Sequence, residues 1–172
     1  MSVGGVRRIV DRLLEWLLVS FMSLMVANVL WQVATRFLLR NPSSFTEEIA
    51  RYLLVWVGVL GGAYAVGKRI HLAIDLLPSK LEGRRKAMLE LFIEACIFSF
   101  AALVLVLGGS GLVWLTLDLG QTSAALRVPL GFVYLVLPLS GLLMMFYSAL
   151  HGAEAFNRLR TPGDTLKNGE AA

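Results

Sequence analysis

Long apolar runs separated by short charged segments dominate this sequence. Charged residues are absent from residues 16–35, 52–67, 95–117 and 128–150. Three of these runs have at least twenty residues, enough for an α-helix to cross a hydrocarbon core about 30 Å thick. The run 52–67 is shorter, so its helix must continue past both ends, with Arg51 and Lys68 extending their side chains to the interfaces. The pattern predicts four transmembrane helices, over about residues 9–38, 46–68, 80–118 and 128–157.

The composition agrees with this pattern. Hydrophobic residues make up 57% of the 172 residues and charged residues 16%, with a mean hydropathy of +0.71, whereas soluble domains are about 25% charged. We therefore expect an all-α integral membrane protein, with one four-helix domain over residues 1–160 and a polar, disordered cytoplasmic tail over 161–172. A short amphipathic segment between the second and third helices is expected to lie along the membrane interface.

The distribution of basic residues predicts the orientation. Of the 16 Lys and Arg residues, twelve fall in the N-terminal tail, the second loop and the C-terminal tail, and four fall near the first and third loops. An excess of Lys and Arg marks cytoplasmic segments, so both termini are expected in the cytoplasm. Because the basic residues lie between the apolar runs, the pI of 9.6 reflects membrane orientation, and nucleic acid is not an expected partner.

Small and polar residues inside the apolar runs are candidates for helix packing. Asn28 and Gln32 lie one turn apart on a polar stripe of the first helix, and Gly58, Gly61 and Gly62 offer the second helix a surface that another backbone can approach closely. We interpret the stripe as interhelical hydrogen bonding, with the lining of a substrate path as the alternative. For the glycines, packing within this chain and packing against a partner subunit are both open.

Few residues carry chemistry that suggests a reactive site. His71 and Asp75 lie one turn apart after the second helix, where a hydrogen bond between them would fix the turn, and two such ligands are too few to indicate zinc. Glu90 and Glu94 lie one turn apart at the inner membrane edge, and Cys96 is the single cysteine. The sequence shows neither a nucleophile with a positioned acid and base nor a phosphate-binding loop, so an enzyme and a bound cofactor are not expected.

Two segments resemble the small membrane subunit of tripartite ATP-independent periplasmic (TRAP) transporters. They are EEIARYLLVWVGVLGGAYAVGKRIHLAID around the second helix and GQTSAALRVPLGFVYLVLPLSG entering the fourth. The resemblance extends over about residues 13–155 and combines the paired acidic helix start, the Trp56 and Gly61 interior and the His71 and Asp75 exit. Lys68, Arg69 and Ile70 stand where the family often has a glycine before the histidine.

The resemblance implies a non-catalytic subunit in the bacterial inner membrane. Its partners would be the lipid bilayer, a large membrane subunit on a separate chain and a soluble periplasmic protein that delivers the substrate. The large subunit would hold the substrate and sodium sites, so neither sodium nor another cofactor is expected to bind this chain. The small subunit would extend the static scaffold of the large one during sodium-coupled uptake of an organic acid.

Charged residues near the outer helix ends are candidates for partner docking or for the scaffold: Arg36, Arg40, Glu47, Glu48, Arg51, Asp118 and Arg127. Glu47 and Glu48 precede Arg51 by four and three residues, so local ion pairs are one explanation. Exposed pairs stabilise a protein little. Docking of the periplasmic protein through steering and rim contacts is therefore the sharper hypothesis.

Two other functions remain as alternatives. Four helices and two histidines, His71 and His151, would suit a haem-binding membrane anchor if both histidines reached one haem. A stand-alone proton-coupled transporter would use Glu90 or Glu94 as its carrier. A visible absorption spectrum tests the first alternative, and transport by this chain alone tests the second.

Overall fold

The computed structural model describes residues 3–38, 44–69 and 83–160. The helical elements are α1 (Val3–Leu38), α2 (Ser44–Lys68), α3 (Gly83–Phe100), a π-helical segment (Ala101–Gly108), α4 (Gly109–Asp118), α5 (Leu130–Tyr134) and α6 (Val136–Arg160). Arg40, the His71 and Asp75 turn, the amphipathic segment around it and the tail over 161–172 lie outside the described residues. The predictions for them stay predictions.

Four helical stretches are long and apolar enough to cross a membrane, and we name them spans 1 to 4: Gly5–Phe37, Phe45–Lys68, Arg84–Asp118 and Leu130–Arg160. The predicted all-α fold with four such helices is confirmed, and no β-strand occurs in the part of the chain that the structure describes. The first helix begins at Val3 and not near residue 9. One reason is that Arg7 donates a hydrogen bond to the carbonyl of Gly67 at 3.0 Å, which holds the first turns of α1 against span 2.

Span 4 lies in the middle of the bundle. It packs against span 2 and against span 3, whereas span 1 packs mainly on span 2. One third (33%) of the most apolar stretch of span 4 is buried, against 6% for span 1. The packing order along the bundle is therefore 1–2–4–3, with span 1 offering the most open surface.

Large apolar side chains point outward along every span. Each span has at least one large apolar side chain that is more than half exposed, for example Trp31, Leu54, Leu107 and Leu142. A soluble monomer rarely exposes such a continuous apolar surface. The outward faces are therefore suited to lipid or to an apolar partner.

The buried core joins spans 1, 2 and 4. Leu14, Leu60, Val66, Val136 and Tyr147 form one cluster of buried side chains. Because lipid surrounds the helices, this packing contributes mainly through close van der Waals contact and hydrogen bonds and little through the exclusion of water. The core therefore depends on the fit between the helix surfaces.

Spans 3 and 4 approach each other closely at two glycines. A Cβ at Gly109 would lie 2.8 Å from Leu137 Cβ, and a Cβ at Gly141 would lie 2.8 Å from Leu105 Cβ. Leu105 belongs to the π-helical segment, in which the N–H of Gly109 donates to the carbonyl of Val104, five residues back. The π-helical geometry of this segment was not predicted from the sequence.

The helix of span 4 is interrupted at Leu135, between α5 and α6. Pro138 follows by three residues and has no N–H to donate to the carbonyl of Tyr134, and its ring crowds that carbonyl. The interruption therefore lies about one turn before the proline.

Candidate functional site

We name the end of the bundle that carries the start of span 2 and the loop between spans 3 and 4, the third loop, the outer end, and the opposite end the inner end. The outer end of span 2 is joined to the third loop through Glu48. Its carboxylate accepts hydrogen bonds from the Ser123 hydroxyl at 2.8 Å and from the N–H groups of Ala125 and Leu126 at 2.9 and 3.0 Å. These donors lie 75 to 78 residues away in the sequence. Glu48 therefore fixes the loop between spans 3 and 4 onto the start of span 2.

The loop itself is folded tightly by local contacts. The N–H of Ser123 donates to the carbonyl of Val128 at 2.9 Å, and the N–H of Leu130 donates to the carbonyl of Gln121 at 2.9 Å. Arg127 has a φ of 55°, a left-handed conformation that non-glycine residues adopt mainly in turns. These contacts orient the backbone N–H groups of Ala125 and Leu126 toward the carboxylate of Glu48.

Glu47 and Arg51 form an ion pair on the exposed face of span 2. Arg51 Nη2 lies 3.1 Å from Glu47 Oε1, and both side chains are 66% exposed. The predicted local network therefore forms only in part, because Glu48 turns to the loop and away from Arg51. Arg36 and Asp118 are exposed at the outer ends of spans 1 and 3 and make no hydrogen bond or ion pair with other described residues.

The polar stripe of span 1 contacts span 2 near its outer end. Asn28 Nδ2 donates to the carbonyl of Thr46 at 2.7 Å, which is the kind of interhelical hydrogen bond the stripe predicts. Gln32 is partly buried, and its backbone carbonyl accepts a hydrogen bond from the Thr35 hydroxyl at 3.0 Å. The stripe therefore lies along the packed side of span 1.

The three glycines of span 2 have different surroundings. A Cβ at Gly62 would lie 3.3 Å from Met144 Cε, so this glycine packs on span 4. A Cβ at Gly58 or Gly61 would meet no described atom within 4 Å. Of these three glycines, Gly62 therefore packs closely against another described helix, whereas Gly58 and Gly61 have open space beside them.

A second polar cluster, at the inner end of the bundle, joins spans 1, 2 and 4. The Tyr147 hydroxyl donates to Asp11 Oδ1 at 2.6 Å, and Lys68 Nζ lies 3.5 Å from Asp11 Oδ2. Lys68 also lies 3.1 Å from Glu15 Oε1, which accepts a hydrogen bond from the Tyr64 hydroxyl at 2.8 Å. Each carboxylate of the cluster thus has a cation and a hydroxyl as neighbours.

The same cluster continues around His151, which is 1% exposed. Arg7 Nη2 lies 3.4 Å from His151 Nε2, and Glu94 Oε1 lies 3.4 Å from His151 Nδ1. Because a guanidinium only donates, Nε2 is the acceptor in the first contact. Arg7 also lies 3.9 Å from Glu154 Oε1. Arg7 therefore joins the first turns of span 1 to span 4, and His151 joins span 4 to span 3.

This arrangement bears on the alternatives of haem binding and proton transport. Both ring nitrogens of His151 face charged side chains. A haem iron could bind one of these nitrogens only by displacing Arg7 or Glu94. Glu90 is paired with Arg158 at 3.2 Å, at the end of span 4. Within the described ranges, no group of three His, Cys, Asp or Glu side chains is placed to hold a metal ion.

Sequence reasoning missed the inner cluster. Asp11 and Glu15 lie one turn apart in a basic segment, and Tyr64 lies one turn before Lys68. These two pairs were the sequence features that could have indicated the cluster. Their pairing across 49 to 136 residues depends on which spans are neighbours, and the sequence does not specify that order.

Fold and charge placement together define a class of protein. The four spans carry their charged side chains at their ends, and the contacts of these side chains hold helices and a loop together. Such an arrangement defines an all-α membrane protein that crosses the bilayer several times.

The family comparison gives this class a name. Residues 25–158 match the family described as "Tripartite ATP-independent periplasmic transporters, DctQ component". The chain belongs to this family, the small permease subunits of TRAP transporters, which are paired with a large permease.

Individual relatives agree with the family. The chain is 28% identical over 142 residues to the sialic acid TRAP transporter small permease protein SiaQ of Vibrio cholerae, covering 79% of this chain and 82% of the relative. It is 33% identical over 103 residues to the isethionate TRAP transporter permease protein DctMQ of Oleidesulfovibrio alaskensis, covering 56% of this chain and 15% of that much longer relative. It is 28% identical over 102 residues to the C4-dicarboxylate TRAP transporter small permease protein DctQ of Rhodobacter capsulatus, covering 59% and 44%.

Proposed function

We propose that this chain is a non-catalytic scaffold of a TRAP transporter, which supports the large transport subunit during sodium-coupled uptake of an organic acid. The observation that supports the proposal is the position of the charges. Between the charged ends, residues 16–35, 52–67, 95–117 and 128–150 carry no charged side chain. Polar and ionisable groups inside a membrane mark ion and substrate paths, so the coupling ion and the substrate are assigned to the large subunit.

The proposal places the protein in the bacterial inner membrane with both termini in the cytoplasm. The inner cluster around Lys68 and His151 then faces the cytoplasm, and the Glu48-held loop faces the periplasm. The excess of Lys and Arg at the inner ends supports this orientation. A cysteine introduced at the exposed Thr122 or Arg127 should react with an impermeant thiol reagent from the periplasmic side, and labelling only from the cytoplasm would reverse the orientation.

The outer end of the bundle is the proposed docking surface for a periplasmic substrate-binding protein. Glu48 holds the third loop in one conformation, and the Glu47 and Arg51 pair stands exposed on the same turns of span 2. An ordered loop lowers the entropic cost of binding, and exposed charges steer the approach of a partner. The two glutamates thus have different roles, with Glu48 shaping the surface and Glu47 contributing its charge.

Charge reversal tests the docking role. Glu47→Lys should reduce uptake by the complete transporter, more strongly at low salt because exposed charges are screened at high salt, while the two membrane subunits still copurify. Glu47→Gln should give a smaller loss. Unchanged uptake at every salt concentration would remove Glu47 from the docking surface, and loss of copurification would assign it to the membrane complex.

Copurification tests the scaffold role. A tagged copy of the chain, extracted from native membranes in mild detergent, should retain a large permease subunit in a fixed ratio. Recovery of the chain alone, with full transport by the large subunit in its absence, would show that the scaffold is dispensable.

A further inference from the structure

Two arginines and a tryptophan form a strip on the outward face of span 1, near its inner end. Arg8, Arg12 and Trp16 follow one another at intervals of four residues, so they lie on neighbouring turns of one helix face. Both arginines are exposed, and Trp16 is 68% exposed. The buried side of the same helix is marked by Leu14, so the strip faces away from the bundle.

The positive charges of the strip are mostly uncompensated within the described chain, where Glu15 is the one carboxylate seen to attract Arg12 electrostatically. Neither Arg8 nor Arg12 makes a hydrogen bond or ion pair with another described residue. The two acids of the same segment, Asp11 and Glu15, are already held by Lys68 and by tyrosine hydroxyls. The strip therefore presents two adjacent guanidinium groups for a ligand from outside the bundle.

The depth of the strip matches the lipid headgroups. The charge-free run 16–35 spans about 30 Å at roughly 1.5 Å per residue, which is the thickness of the hydrocarbon core. Arg12 and Arg8 then lie about 6 and 12 Å beyond Trp16 along the helix axis. Trp16 is thus placed at the membrane interface, where tryptophan is enriched. Arg12 lies at the level of the phosphates, and Arg8 lies one turn beyond them, from where its long side chain can extend back.

We infer that Arg8 and Arg12 bind the phosphate of an anionic phospholipid headgroup, with Trp16 packing beside the start of its acyl chains. A guanidinium group donates two parallel hydrogen bonds to phosphate oxygens. Two guanidinium groups one helical turn apart reach the same or neighbouring phosphates. This inference depends on the fold and on the charge placement alone, and it stands whichever partner subunit or substrate the protein has.

Trp16 provides a direct reporter for the inference. In a full-length background with Trp31, Trp56 and Trp114 replaced by Phe, Trp16 fluorescence is measured in vesicles that mix brominated phosphatidylglycerol with unbrominated phosphatidylcholine. Quenching beyond the bulk fraction of brominated lipid gives the preference for the anionic lipid. Each basic residue near an anionic surface contributes roughly a fivefold preference, so removing both arginines should lower the preference by about 25-fold.

Matched variants distinguish a site from general attraction to basic residues. Arg8→Gln with Arg12→Gln should abolish the preference, and Arg8→Lys with Arg12→Lys should keep most of it in an equally folded protein. Arg84→Gln with Arg85→Gln removes the same charge from two exposed arginines that are adjacent in sequence and so face different directions. An unchanged preference in the first variant, or an equal loss in the Arg84 and Arg85 control, would overturn the inference.

Two further experiments identify the ligand. Inorganic phosphate added to millimolar concentration should leave the quenching unchanged, and its reversal by free phosphate would contradict a lipid site. A photoreactive p-benzoylphenylalanine at position 16, illuminated in native membranes, should give adducts with phospholipid. A discrete adduct with another protein would instead show that a protein partner covers the strip.

Discussion

The substitution Gly141→Ala tests whether spans 3 and 4 are in direct backbone contact. The new methyl group would lie 2.8 Å from Leu105 Cβ, 2.9 Å from Val106 Cγ2 and 3.2 Å from the carbonyl oxygen of Ala101. Two of these atoms are fixed by the backbone of the π-helical segment, so they cannot move aside by a side-chain rotation. The two helices must therefore separate or shift.

The magnitude follows from two opposing effects. Overpacking a fitted contact costs about 1–3 kcal/mol, and alanine favours a helix interior over glycine by about 1 kcal/mol. Gly111→Ala should gain the helix preference of alanine without the cost of overpacking, because a Cβ at Gly111 would meet no described atom within 4 Å. The helix preference cancels between the two variants. Gly141→Ala should therefore be less stable than Gly111→Ala by about 1–3 kcal/mol.

Unfolding in mixed micelles measures this difference. The purified chain in a mild detergent is titrated with sodium dodecyl sulfate, and tryptophan fluorescence and circular dichroism report the transition. Equal midpoints for Gly141→Ala and Gly111→Ala would refute the close contact. A loss of stability in Gly111→Ala alone would show that the open space beside Gly111 is filled in the folded protein.

Three more predictions concern polar contacts. Tyr147→Phe removes the hydroxyl bound to Asp11 and should cost about 1–2 kcal/mol in the same titration; an unchanged midpoint would contradict that hydrogen bond. Asn28→Ala removes the hydrogen bond between spans 1 and 2 and should cost roughly 0.6 kcal/mol and no more than about 1.7, while a larger loss would indicate a further role. Glu48→Gln should accelerate hydrogen exchange of the loop amides it holds, and Glu47→Gln should not.

Sequence reasoning located the spans because their physical cause is local. A charge-free run of sufficient length specifies a membrane helix without reference to the rest of the chain. The Glu47 and Arg51 pair was foreseeable for the same reason, since residues one turn apart always meet on a helix. The π-helical segment had no comparable signal, because it accompanies a tertiary contact with Gly141.

The roles of Glu48 and His151 could not be predicted from nearby residues. Glu48 has Arg51 within one turn, yet three donors from a loop more than 70 residues away complete its hydrogen bonding. His151 is buried because span 4 lies in the middle of the bundle and meets span 1 at its inner end. Both outcomes depend on the packing order 1–2–4–3, which short loops and hydropathy leave undetermined.

Uptake in proteoliposomes tests the central claim most directly. The chain is reconstituted alone, with its large permease subunit, and with both that subunit and the periplasmic binding protein, under an inward sodium gradient. Because residues 16–35, 52–67, 95–117 and 128–150 carry no charged side chain, the chain alone should give no uptake, and the three components together should restore it. Robust sodium-driven uptake by the isolated chain would contradict the proposal that this subunit is a scaffold.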